Sequence, residues 1–248
     1  MRNGKKRLYL LIVILIGVSF LNSIGSAASF LDNLSLGLER RIGANNYDTI
    51  VRQKRVVQLP QSQAAHLQNL FRNLVGSCNR SRELNFTITV LQDDSINAFS
   101  LPGGYVFVNS GLLNYVKNDG ELAGVLGHEI GHIDRKHGMR ALYRTVGFSV
   151  LFSLLSGNGQ KYNDPEQIRR LAAISMNLAQ LGYSRGAEYE ADRCGVQLME
   201  RAGYDKRDLL RFWSRLETAA DRKTPGFMAV LATHPLTRDR IKRIEMLD

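Results

Sequence analysis

With 248 residues, 44% of them hydrophobic and 23% charged, the chain has the composition of an ordinary globular protein with one main domain. Its net charge of +10 falls to +6 once the four basic residues of the first seven positions, which no acid accompanies, are set aside. The other Lys and Arg residues are interleaved with acids, which excludes a phosphate-binding stripe and with it a nucleic-acid partner; attraction to an anionic membrane surface stays open.

Residues 1–28 read as a secretory signal peptide or an uncleaved N-terminal anchor. Arg2, Lys5, Lys6 and Arg7 precede an apolar run from Leu8 to Leu21, and small residues follow through Ser26, Ala27 and Ala28. The remainder is therefore expected outside the cytoplasm. Residues 29–59, with Gly37, Gly43, Asn45 and Asn46, lack strong periodicity and are expected to form a loosely ordered lead-in to a main domain over 60–248.

From Ser62 to Gly76 the spacing of Leu67, Leu70, Phe71 and Leu74 predicts a helix, with His66 at its surface. Alternation and β-branching in Phe86 to Leu91 and in Tyr105 to Val108 predict strands of a small sheet. Between them Asn97 to Leu101 ends at Pro102-Gly103-Gly104. This stretch is either an edge strand open to an extended partner or a hairpin that only packs on its neighbours.

The next helix carries the chemistry. Asn118 and Glu121 form a capping pair, Gly138 offers a stop, and Leu122, Val125, Leu126 and Ile133 make an apolar stripe. Glu129 falls inside that stripe and His128 and His132 on its flank, together a His-Glu-x-x-His motif. Residues four apart lie about 40° apart around a helix, so both imidazoles face one way, a bidentate grip for a zinc ion at the edge of the core. Zinc lowers the pKa of a coordinated water to about 7, and Glu129 is placed to take its proton. The motif thus predicts metal-assisted hydrolysis.

A catalytic zinc needs a third protein ligand and an open position. His137 is about 140° around from His132 and is unsuited. In the downstream run Ser184 to Asp192, Glu188 and Asp192 share a helix face while Glu190 points away, so Glu188 is the candidate ligand and Asp192 the candidate partner that orients a ligand histidine. Before that run, residues 141–157 crowd apolar side chains with no charge after Arg144, which suits a buried helix, a lid or a membrane-contacting patch; 166–181 predict another helix. Beyond it, Asp205 caps a helix whose Leu209, Phe212, Trp213 and Leu216 are expected in the core.

Taken together, Asn97 to Asn109, the His128 motif, Ser184-Arg185 leading to Glu188 and Asp192, and His234-Pro235 with Arg240-Ile241 resemble the successive motifs of one gluzincin metallopeptidase family. It is the family of the CAAX prenyl endopeptidase, the heat-shock protease HtpX and small periplasmic quality-control peptidases, and the small members are the most similar. The resemblance covers residues 60–248. It implies an α+β, mostly helical zincin-like domain with a small sheet beside the zinc helix. It further implies one Zn2+ on His128, His132 and Glu188, Glu129 as general base, and Asn97, Ala98 and Phe99 in substrate binding. The expected activity is endopeptidase cleavage of unfolded or misfolded protein substrates in the bacterial periplasm. The alternatives are a zinc exopeptidase and a chaperone-like binding protein with a structural or latched zinc.

The resemblance also brings His234 near the site, where the preferred reading is a catalytic donor to the oxyanion of the transition state; the alternatives are a fourth ligand that closes a resting form and a surface histidine ahead of a terminal helix. Cys78 and Cys194 are the only cysteines, and in an oxidising compartment they are candidates for a disulfide.

Overall fold

The computed structural model describes residues 35–147, 164–221, 233–235 and 238–247. The signal-like residues 1–28 and most of the apolar stretch 141–157 lie outside them. Of two compact units, residues 1–38 and 39–248, the second holds the elements that build the site. Among the described residues no helix is long and apolar enough to cross a membrane.

The expected lead-in is instead a helix, α1, over 35–53. Its buried face from Glu39 onward carries Glu39, Ile42, Gly43, Asn46 and Ile50. Two of these are polar and one is glycine, so the helical repeat is present in burial but invisible in hydrophobicity. Two of the exceptions have a visible cause. Glu39 accepts from Arg80, Nη1 to Oε1 at 2.9 Å and Nη2 to Oε2 at 2.7 Å, which neutralises its buried charge. At Gly43 a Cβ would stand 2.0 Å from the Pro102 carbonyl oxygen, so only glycine lets the chain pass.

Helix α2, Gln61–Gly76, buries Leu67, Leu70, Phe71 and Leu74 as their spacing predicts, and exposed His66 pairs with Asp119 at 2.9 Å. Strands β1 (Thr87–Leu91), β2 (Ala98–Leu101) and β3 (Tyr105–Asn109) form a sheet in the order β1-β3-β2. β1 runs parallel to β3 and β2 antiparallel to it, so among the described residues β2 has a strand partner on one side only. The hairpin between β2 and β3 turns at Gly103 and Gly104, with φ of +86° and +100°, values that L side chains rarely adopt.

After the short helix α3, Ser110–Tyr115, comes α4, Asp119–Asp134, which is buried from Gly120 to Asp134. A helix with one apolar stripe should have a wet side; this one has none, so the site lies inside the molecule rather than at the edge of its core. Glycine makes that possible. A Cβ at Gly124 would meet the Leu209 side chain at 2.8 Å, one at Gly127 the Gly195 carbonyl oxygen at 2.9 Å, and one at Gly131 the Ala191 carbonyl oxygen at 2.8 Å. The cap also differs in detail. Asn118 accepts from the Glu121 N–H, but Glu121 Oε2 reaches the Lys117 N–H at 2.8 Å rather than that of Asn118, and also binds Arg215. The helix ends before Gly138: Lys136 takes the left-handed conformation, φ 56°, and Gly138 falls in the first turn of α5, His137–Val146.

Four further helices complete the description: α6 (Pro165–Leu181), α7 (Arg185–Arg201), α8 (Lys206–Asp221) and α9 (Arg238–Glu245). α4 packs against α7, α8, α2 and β2. Leu209, Phe212, Trp213 and Leu216 of α8 are buried as expected. The cysteines are not joined. Both are buried free thiols, Cys78 donating to Asp134 Oδ1 at 3.0 Å and Cys194 to Asp134 Oδ2 at 3.6 Å.

Candidate metal centre

Two helices in backbone contact set the geometry. At Gly195 of α7 a Cβ would lie 2.7 Å from the His128 nitrogen, so α4 and α7 approach as closely as backbones allow. Ser184 starts α7 by accepting from the Ala187 N–H, which fixes the turn on which Glu188 stands. The histidines of α4 therefore face Glu188 across a gap of one side chain.

One donor atom from each of His128, His132, Glu188 and His234 lies within 4.8 Å of every other, and all four residues are buried. The separations are 3.0 Å between the Nε2 atoms of His132 and His128, and 3.3 Å from His128 Nε2 to His234 Nδ1. They are 3.4 Å from His234 Nδ1 to Glu188 Oε2 and 3.5 Å from His132 Nε2 to Glu188 Oε1. Donors placed tetrahedrally at about 2.0–2.1 Å from zinc stand about 3.3 Å apart, so the set has the span of a zinc shell.

Charge points the same way. Glu129, Glu188 and Asp192 are buried carboxyl groups gathered at one place, and Arg240 is the guanidinium bound to two of them, 2.9 Å from Glu188 and 2.7 Å from Asp192. Burial opposes the charge of Glu188 and of Asp192. Hydrogen bonds from His128 and His234 nonetheless hold Glu188 well below the usual carboxylate range, and Arg240 lowers Asp192. Burial likewise opposes a charged His128, but Asp192 and Glu188 raise its pKa to about 9, whereas burial and the neighbouring His128 charge drive His132 well down. Among the described residues Glu129 Oε2 and Glu188 Oε1 have no hydrogen-bond partner. Buried carboxylate oxygens left in this way are costly, and a dication relieves the cost. The residues present fit a zinc ion.

The supporting contacts extend outward. Asp192 Oδ1 is 2.9 Å from His128 Nδ1, the nitrogen turned away from the donor cluster. On the other histidine, His132 Nδ1 is 2.9 Å from His137 Nδ1, and His137 Nε2 is 3.1 Å from Glu190 Oε2, which also receives Arg140. The Tyr183 ring stacks on His132 with centroids 4.4 Å apart. Glu190 thus stands outside the cluster, and His137, unsuited as a donor to the cluster, backs His132 instead. Nothing in the helix angles signalled that support, because it arises from the Lys136 turn, and Tyr183 carried no signal beyond its place just before the Ser184 motif. His234 is buried, with Nε2 3.3 Å from Glu129 Oε1, so it is no surface residue. Ala98 and Phe99 open β2, and Asn97 precedes it with a buried Oδ1 that has no hydrogen-bond partner among the described residues.

Comparison with known proteins shows the family. The sequence pattern of the family described as Peptidase family M48 matches residues 61–248. The beta-barrel assembly-enhancing protease of Escherichia coli (strain K12) is 30% identical over 89% of the chain, which spans 45% of that protein. The protein of the same name from Yersinia pestis is 31% identical over 71% of the chain, spanning 37% of its own length. The mitochondrial metalloendopeptidase OMA1 of Schizosaccharomyces pombe is 28% identical over 86%, spanning 62%. The chain thus spans less than two thirds of these relatives.

Proposed function

The chain belongs to peptidase family M48, and from that premise we propose that it is a zinc-dependent endopeptidase acting on protein substrates. The observation that carries the proposal is the buried cluster of His128, His132, Glu188 and His234 with the unpartnered Glu129 Oε2 beside it. His128, His132 and Glu188 hold the metal. When bound, zinc supplies the Lewis acidity that makes water a nucleophile near neutral pH. Glu129 takes the proton of that water on its free Oε2 and passes it to the leaving amine. Asp192 and Arg240 keep the His128 ring in place, and His137 with Tyr183 does the same for His132. An extended substrate lies along the open edge of β2, where pairing reads backbone rather than side chains.

The placement of His234 Nδ1, 3.3 Å from His128 Nε2 and 3.4 Å from Glu188 Oε2, favours the fourth-ligand role over the oxyanion role. In that role His234 would close a resting form, and its withdrawal would free the fourth position for water. The substrates we propose are unfolded envelope proteins met outside the cytoplasm, at or near a membrane surface. The basic and apolar N-terminal stretch supports this setting, as do bacterial relatives named for assembly of β-barrels.

Digestion of an unfolded protein by the zinc-loaded chain tests the proposal. Internal fragments are expected; stepwise trimming would indicate an exopeptidase, and protection without cleavage a binding protein. Glu129→Gln keeps the size of the side chain but not its basicity, so zinc is retained and turnover falls about 10²–10⁴-fold. Turnover near that of the wild type would overturn the assignment.

A further inference from the structure

Phe99 and Leu101 project from β2 to one face of the sheet, where Phe99 stacks on Phe107 with centroids 5.0 Å apart. There Ile50, Leu91, Leu101 and Phe107 form an apolar cluster, with Phe99, Met176 and Ala179 packed on it. The cluster is not filled at the edge of the sheet. A cavity of about 270 Å³ remains, floored by Ile50, Leu91, Phe99, Leu101, Met176 and Ala179, between β2, α1 and α6.

Three observations tie this cavity to a bound chain. Among the described residues β2 has a strand partner on one side only, so an extended peptide paired to its other edge sends alternate side chains onto this face. Thr233, next to His234, stands at its wall, so the cavity adjoins the donor cluster. Asn97, the residue just before β2, lines it too, so the cavity begins where the edge strand begins. A cavity of about 150 Å³ suffices for benzene, so this one has room for a Phe, Leu or Met side chain.

We infer that this cavity is a specificity pocket that takes one large apolar side chain of an extended substrate paired to β2. The inference rests on the proposed peptidase function and narrows it. The enzyme engages chain segments whose apolar residues are exposed, the segments that folding would have hidden. Because none of His128, Glu129, His132, Glu188 and His234 lines the pocket, it fixes where along the substrate the cut falls without touching the bond that breaks.

Binding and cleavage are read separately. The probes are a labelled decapeptide of Ala, Ser and Gln and its copy carrying one Phe. Fluorescence anisotropy on zinc-loaded Glu129→Gln is expected to show the Phe peptide bound at least about tenfold more tightly. Ala179→Trp in the same background fills the pocket and brings the two affinities together. If that variant does not fold, Met176→Ala, which only removes bulk, is expected to move the preference from Phe toward Trp. Equal affinities for the two peptides, or a Phe preference untouched by both substitutions, would overturn the pocket. Wild-type protein then reports on the peptidase function independently: cuts at a fixed offset from Phe are expected. Discrimination in binding without any cut would reject the peptidase function and leave the pocket standing.

Discussion

Arg240 grips Asp192 with both arms of its guanidinium, Nε to Oδ2 at 2.7 Å and Nη2 to Oδ1 at 2.7 Å, and its Cζ lies over the Trp213 ring, 5.0 Å from the centroid. Two side chains far apart in sequence thereby fix the carboxylate that faces His128. Lysine keeps the charge but not the fork. Arg240→Lys is expected to weaken zinc binding about 10–100-fold in competition with a chelator, while the zinc-free protein stays folded. Unchanged affinity would mean that Asp192 needs no such anchor.

Glu188 and Glu190 offer a matched comparison, two residues apart on α7. Glu188→Gln is expected to lose bound zinc on dialysis. Glu190→Gln, which breaks contacts to His137 and to the partly exposed Arg140, should retain it. Equal retention in both variants would remove Glu188 from the site.

For His234 the expectation is a gain. His234→Ala, compared at equal zinc occupancy, is expected to raise turnover because the fourth position is no longer taken by an imidazole. A fall of about 10²–10³ would make His234 an oxyanion donor instead.

Gly195 carries a structural prediction. Its Cβ would lie 2.7 Å from the His128 nitrogen, a backbone atom that cannot swing aside. Gly195→Ala is therefore expected to cost about 1–3 kcal/mol in thermal unfolding and to reduce zinc occupancy, since forcing α4 from α7 parts the histidines from Glu188. Gly186→Ala, with no atom within 4 Å of its Cβ, is the control and should keep its zinc.

What the sequence reveals depends on whether a feature is local. The spacing of His128, His132, Glu188 and Asp192 is a property of single helices, and rotation angles alone placed Glu190 apart from the others. The strands from Thr87 and from Tyr105 announce themselves by alternation. α1 does not, because Glu39 and Gly43 are buried for reasons that lie elsewhere: Arg80 and the Pro102 carbonyl. The end of α4 was misjudged for a related reason. Lys136 accepts a backbone conformation that glycine would adopt more easily, and the signal at Gly138 reflects close packing on Pro102 rather than a helix stop. His137 behind His132 follows from that turn, so it was legible only in three dimensions.

The Asp134 carboxylate, flanked by the Cys78 and Cys194 thiols, has a practical side for spectroscopy. Burial, helped by that neighbouring charge, raises the Cys194 pKa to about 11 and pushes Cys78 higher still. Neither is a thiolate at neutral pH, and both are shielded from reagents. A cysteine introduced at an exposed site such as Leu181 is then the position that a maleimide dye reaches first. Distance measurements on opening of the active site can thus proceed with both native cysteines in place.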